Sequence, residues 1–224
     1  MEPITVDIVE VHHAMQNTTD LTTQVENVTP VGALGGMSDM YQGYWSRPDK
    51  EQVKVAIKLV RFPSSTPTAK MQRHLAREVH IWSFLHHAHI LPLYGTYSGL
   101  RPGCPGMVSP WCEKGNILQF LDQQRNSPNI QELVNKAGNI LVSADGNALI
   151  CDFGLATILT GDQSAQTFSS FVKGTCRWMA PELFEHDQAK HTKASDVWAF
   201  GCVILEVRKE SASSFTSPCQ CDPY

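Results

Sequence analysis

The chain has no hydrophobic run long enough to span a bilayer. Its most apolar stretch, VWAFGCVILEV (Val197–Val207), is interrupted by Glu206 and falls well short of the roughly 20 residues a membrane helix needs. A basic start followed by an apolar core is also missing, so MEPITVDIVEVHH does not read as a secretory leader. Positive charge is neither abundant nor clustered. Lys and Arg number 18 against 22 Asp and Glu, for a net charge of −4, which excludes the cationic face that nucleic acid requires. Paired cysteines are absent too. The seven stand at 104, 112, 151, 176, 202, 219 and 221, and the close pair in the tail has no second pair to complete a zinc site. Scattered thiols point to a reducing, cytoplasmic setting rather than a disulfide framework. The sequons at Asn17 and Asn27 carry no weight without secretion. The HHAH cluster at 86–89 reads as a polar helix end before it reads as a metal site. No internal repeat is present.

What is present is the composition of a globular chain, long enough at 224 residues for one large domain or two small lobes. Residues 1–30 are polar and read as an extension. QVKVAIKLVRF alternates apolar and polar, a strand pattern that groups Val53, Val55, Ile57 and Leu59 on one face. A helix is expected from about Thr68 to His86, with Thr66 as its cap and Pro67 in its first turn. ILPLYGTYSG and GMVSPW read as strands around the turn LRPGCPG, and residues 116–124 as a helix. NILVSADGNALICDFG reads as a hairpin turning at Asp145-Gly146. SDVWAFGCVILEV reads as an apolar, buried helix starting near Ser195 or Asp196. Residues 208–224 have no periodicity and read as a disordered tail.

Four features carry chemistry. Lys58 ends an apolar strand, where the plain reading is a solvated edge. Glu78 changes that reading. It shares a helical stripe with Met71, Leu75, Trp82 and Leu85, and a carboxylate on an apolar face is costly without a cation. A Lys58–Glu78 pair satisfies both groups and fixes an ammonium for a phosphate. Asp152 and Asn139 stand at neighbouring ends of the hairpin. Two hard oxygen donors suit Mg²⁺, which takes few protein ligands and completes its shell with water and phosphate. Finally, GALGGMSDMYQGYW precedes the lysine strand, and its backbone amides can approach phosphates closely.

In order, the chain presents a glycine loop, VAIK, a helix glutamate, KAGN, DFG, APE and SDVWAFG. This series resembles a protein kinase domain over about residues 31–207. Phrases such as MVSPWCEKGN and GTCRWMAPE are similar to the tyrosine-kinase-like (TKL) group of Ser/Thr kinases. The resemblance implies an α+β, bilobal kinase-like fold. A β-rich small lobe would cover residues 31–108 and a truncated helical large lobe residues 109–207. It also implies ATP and Mg²⁺ as cofactors and a protein substrate or signalling partner, with neither nucleic acid nor membrane. By position, Gly35, Gly36 and Ser38 match the phosphate-covering loop, and Ala56 would contact adenine. Lys58 would hold the α- and β-phosphates, with Glu78 holding Lys58. Ser109 matches the gatekeeper, with Pro110, Trp111 and Cys112 as the hinge. Asn139 and Asp152 match the magnesium ligands. Ala180, Pro181 and Glu182 would anchor the activation segment, and Asp196 would begin the helix that organises the large lobe. Lys136 in the catalytic loop and Gly174-Thr175 imply Ser/Thr specificity.

The departures are as informative. Ala33 and Ser38 stand where the first and third loop glycines usually lie. In the template H-R-D-x-x-x-x-N the aspartate precedes the asparagine by five positions. Counting back from Asn139 reaches Val134, which cannot accept a proton or orient a hydroxyl. Glu132, the nearest carboxylate, is two residues out of place. Only Arg125 to Asn135 stand where related kinases place a long helix, a short strand and the first half of the catalytic loop. A helix of about 20 residues spans about 30 Å, and so short a remnant cannot supply it. The expectation is therefore a lost internal block, fewer helices after Val207 than related kinases have, and catalysis absent or severely impaired; the alternatives are a non-catalytic pseudokinase scaffold and a truncated gene product.

Overall fold

The computed structural model describes residues 18–31, 38–47, 51–62, 66, 68–125, 139–153, 178–185 and 191–212. The described residues fall into two compact units, one running from 18 to 153 and the other from 178 to 212. The first is built on a five-stranded antiparallel sheet. Its strands are β1 (Val25–Pro30), β2 (Ser38–Trp45), β3 (Val53–Val60), β4 (Gly95–Tyr97) and β5 (Gly106–Pro110). Their order is β1-β2-β3-β5-β4. Helix α1 (Thr68–Phe84) joins β3 to β4, α2 (Ile117–Arg125) follows β5, and a separate hairpin is formed by β6 (Ile140–Val142) and β7 (Ala148–Ile150).

The sheet contributes to two buried clusters. Val55, Ile57 and Val108 pack with Leu21 and Val25. Leu59, Val60 and Met107 pack with Leu75, Val79 and Trp82 of α1, and with Leu91, Cys104 and Leu149. The expected group Val53, Val55, Ile57 and Leu59 is thus divided between clusters, with Val55 and Ile57 in the first and Leu59 in the second. Apolar burial of this kind stabilises by about 25 cal/mol per Å², and it seats α1 against β3.

Local sequence explains the element ends. Asn116 caps α2: its side chain accepts from the Gln119 amide at 2.9 Å, and the Gln119 side chain accepts from the Asn116 amide at 3.0 Å, a reciprocal capping box. The hairpin turns at Asp145-Gly146 as expected, with Gly146 at φ 87°, a conformation that favours glycine. The hairpin is tied to its surroundings on both sides. The Leu91 amide donates to the Ile150 carbonyl and the Ile150 amide to His89, both at 2.9 Å, while the Val142 amide donates to Gly115 at 2.9 Å. His89 also places Nδ1 3.0 Å from the Ala148 carbonyl. The HHAH segment is accordingly a loop after α1, and that ring nitrogen serves the backbone of β7.

Two expectations are corrected. Residues 1–30 are not all an extension: β1 pairs with β2, and Leu21 is fully buried. β1 is an edge strand whose register shifts between Glu26 and Thr29, so its hydrophobic pattern lacks the period of two. The helix expected near Ser195 begins earlier. It is α4 (Lys193–Ala212), after the four-residue α3 (Glu182–Glu185). Thr192 and Ser195 exchange amide-to-hydroxyl hydrogen bonds of 3.2 and 2.9 Å, which makes Thr192 the cap. Nor is this helix buried: Val197, Trp198, Phe200, Ile204 and Leu205 are all exposed. An apolar helix is buried only where other elements cover it, and the described part of its unit offers only α3.

Candidate functional site

The site grows from Lys58 on β3. Lys58 lies on the strand face opposite Ile57, and α1 packs against that side. Its Nζ is 2.8 Å from Glu78 Oε1 and 2.5 Å from Asp152 Oδ1. The Glu78 side chain is only 2% exposed and that of Lys58 16%, whereas Asp152 is 46% exposed. One carboxylate is therefore sealed in the core and the other faces water. Burial alone would lower the pKa of Lys58. The attraction of Glu78 and Asp152 outweighs it and holds the ammonium above its usual range.

Both carboxylates are aimed by the core. Glu78 lies between Leu75 and Trp82 on the buried face of α1. Trp82 is locked by its indole, which donates to the Leu91 carbonyl at 2.6 Å. Its ring lies 5.8 Å from that of Phe153, and Phe153 packs on the same cluster. Asp152 is thus held from both sides, by Phe153 in the core and by the β7 strand before it. Its backbone has φ 67°, the left-handed region that L residues adopt sparingly and Asp tolerates. The Cys151 amide donates to the Asn139 carbonyl at 2.9 Å, which brings Asn139 beside Asp152. Burial, with the Asp152 carboxylate as a lesser cause, pushes the Cys151 thiol up to about 12.

β5 supplies the adjoining wall. Ala56 pairs with Ser109 in the β3–β5 register, and both are buried. The Trp111 amide donates to the Lys54 carbonyl at 3.2 Å. Lys54 Nζ lies 4.4 Å from the centre of the Trp111 ring and 3.5 Å from Glu113. The chain leaving β5 is therefore fixed to β3, and Cys112 packs against the main cluster.

The structure brings together Ala56, Lys58, Glu78, Ser109, Asn139 and Asp152, with Trp111 and Cys112 at the end of β5. Ser38 opens β2. Gly35, Gly36, Val134 and Lys136 lie outside the described residues. Ala180, Pro181, Glu182 and Asp196 belong to the other unit. The sequence reading missed the supporting parts. Trp82 was placed on the Glu78 stripe, but nothing local signalled its contact with Phe153.

The donor set fits a magnesium–nucleotide complex. Asp152 and Asn139 could supply hard oxygens, and Lys58 an oriented cation for phosphate. Among the described residues no group of three or more His, Cys, Asp or Glu side chains could hold a metal on its own. Two donors completed by water and phosphate would suit Mg²⁺ better than an all-protein cage. Among the described residues no helix is long and apolar enough to cross a membrane.

Comparison with known proteins agrees with this geometry. Residues 28–138 match the family model described as protein tyrosine and serine/threonine kinase. Residues 135–216 match that of the protein kinase domain. Ephrin type-B receptor 1 of Gallus gallus is 29% identical over 208 residues, covering 82% of this chain and 20% of the receptor. Ephrin type-B receptor 2 of Gallus gallus and ephrin type-B receptor 1-A of Xenopus laevis are 28% and 29% identical over the same extent. The chain spans about a fifth of the length of these curated relatives. They are ephrin receptors, and the description of the first family model covers both tyrosine and serine/threonine kinases. The kinase resemblance is therefore upheld at the level of the domain, not of the TKL group. The two matches run consecutively from 28 to 216: the chain belongs to the protein kinase family, with a sheet-rich small lobe and a partly helical large lobe.

Proposed function

We propose that the chain binds Mg·ATP at the site built around Lys58 and carries out little or no phosphoryl transfer. The observation that carries the first half is Lys58, held at 2.8 and 2.5 Å between a buried and an exposed carboxylate. In this reading Lys58 grips the α- and β-phosphates and Glu78 keeps it aimed. Asp152 and Asn139 hold the magnesium, while Ala56, Ser109, Trp111 and Cys112 line the adenine position. When bound, the magnesium would neutralise phosphate charge. Gly35, Gly36 and Ser38 match the loop that would cover the phosphates.

The second half rests on Val134. A valine in the aspartate slot can neither accept the hydroxyl proton nor orient the nucleophile, and Lys136 beside it cannot replace a base. Two features support a lost block rather than a point change. The two family matches change over at residues 135–138, where the sequence places the junction. In addition, 82% of the chain is about 184 residues, yet the alignment to each receptor runs over 208. About 24 positions of the relative thus lack a counterpart. The ancestral reaction would be transfer of the γ-phosphoryl group to Ser or Thr of a protein, supported by Lys136 and Gly174-Thr175. Without turnover, the domain would act as a scaffold for a signalling partner in the cytoplasm, where Cys104, Cys112, Cys151 and Cys202, none of them in a disulfide, would stay reduced.

The test is thermal stabilisation by millimolar Mg·ATP in wild type, Lys58→Ala and Asp152→Ala, with phosphorylation of Ser/Thr and Tyr peptides assayed alongside. A ligand at 100 times its Kd stabilises by about 2.7 kcal/mol. The expected result is a magnesium-dependent shift in wild type alone, with no turnover. A folded wild type with no shift would sink the binding reading, and brisk peptide phosphorylation the inactive one.

A further inference from the structure

The glycine-rich stretch leaves β1 at Val31 and returns at Ser38, and its two ends are held differently. At the outgoing end the Val31 amide donates to the Met40 carbonyl at 2.8 Å, one rung beyond the Pro30–Tyr41 pair of the β1–β2 ladder. Ser38 and Asp39 lie past that last rung. They are held from the other side, by β3, whose final register pair is Ser38–Val60. The next residue after β3 is Arg61. Its guanidinium folds back over β2: Nη2 donates to the Ser38 carbonyl at 3.0 Å, and Nε forms an ion pair with Asp39 Oδ1 at 3.1 Å. Two contacts from one planar group fix an orientation that a single contact leaves free. Arg61 stands three residues after Lys58 on the same stretch of chain, so the returning stem is referenced to the strand that carries the phosphate-binding lysine.

We infer that Arg61 is a positioning residue for nucleotide binding, fixing Ser38 relative to Lys58 and thereby setting affinity for the phosphates rather than for the nucleoside. This rests on the Mg·ATP reading above. Arg61 and Asp39 are each about one-third exposed, so as a plain surface ion pair they would add little to stability. The backbone carbonyl of Ser38 gives the contact its consequence, because that carbonyl lies where β2 passes into the glycine-rich stretch.

The experiment is isothermal titration of the full chain with Mg·ATP and, separately, with adenosine, which lacks phosphates. Wild type is compared with Arg61→Lys, Arg61→Ala and Asp39→Asn. For Arg61→Ala the Kd for Mg·ATP should rise about threefold to tenfold, the equivalent of one net hydrogen bond, with the Kd for adenosine unchanged. Arg61→Lys should fall between, since an ammonium cannot reproduce the fork, and it carries the comparison if the alanine variant does not fold. Asp39→Asn keeps the Ser38 contact and should change the Mg·ATP Kd less than Arg61→Ala. Equal weakening of both ligands, or no change for either, overturns the inference and leaves the nucleotide reading standing. A wild type that binds no Mg·ATP overturns both.

Discussion

Removing Lys58 should destabilise the protein far more than removing the whole ion pair. Lys58→Met leaves the Glu78 carboxylate, 2% exposed, with no cation inside the α1–sheet core. Breaking one side of a buried pair costs about 3–5 kcal/mol, whereas replacing both partners with apolar groups is often neutral or stabilising. The double variant Lys58→Met/Glu78→Leu adds a leucine to a helix face whose neighbours Leu75 and Trp82 already lie in the main cluster. Asp152 then loses its partner but is 46% exposed and is solvated by water, so its contribution to stability is small. Urea unfolding should place Lys58→Met about 3 kcal/mol below wild type, a large part of the roughly 5–15 kcal/mol a domain possesses. The double variant should return to within about 1 kcal/mol of wild type. The pH dependence follows from the direction of the lysine shift. Its folded pKa lies above 10.5, so its stabilisation is fully present below that value and is lost as pH rises through the folded pKa. The gap between wild type and the double variant should therefore be flat from about pH 6 to about 10 and change only in stronger alkali. A double variant as unstable as Lys58→Met would refute the reasoning, since the cost would then not arise from an isolated buried carboxylate.

Three further outcomes are expected. Val134→Asp should not raise peptide phosphorylation into the range of about 1–100 s⁻¹ typical of kinases, because in the proposed reading a whole block and not one side chain has been lost; a steady-state assay reaching that range would show a point loss instead. The Cys151 thiol, pushed up to about 12, should alkylate with iodoacetamide at neutral pH more slowly than an ordinary cysteine in the same digest, and faster labelling would contradict its buried setting. Asn116→Ala removes the α2 cap and should cost about 1 kcal/mol in urea unfolding; a change below about 0.3 kcal/mol would mean the capping box adds no stability to the native state.

Which features were legible in the sequence follows from the range of the interactions behind them. Lys58 and Glu78 could be read because each sits on a regular element, where a charged group breaks an apolar pattern, and Asn139 and Asp152 because they stand just beyond the ends of the β6–β7 hairpin. Energetic misfit within a short window is itself the signal. The hairpin was legible because Asp145-Gly146 carries its own turn chemistry. β1 was not, because Asn27 adopts φ 54° where the register shifts, and an irregular edge strand has no period to detect. Leu21, fully buried, belongs to the core through contacts with Val55 and Val108, more than 30 residues away, and no local pattern announces such a partner. The same holds for Arg61 over Ser38 and for Trp82 against Phe153. α4 shows the opposite failure. Its apolar composition was read as burial, but composition states only what a helix needs, and whether the need is met depends on other elements. Val197, Trp198, Phe200, Ile204 and Leu205 remain exposed because the described part of their unit holds little to cover them. In the proposed reading, the described residues that would hold a nucleotide lie between Ser38 and Asp152, and turnover would depend on the segment around Val134, where the resemblance expects the catalytic aspartate.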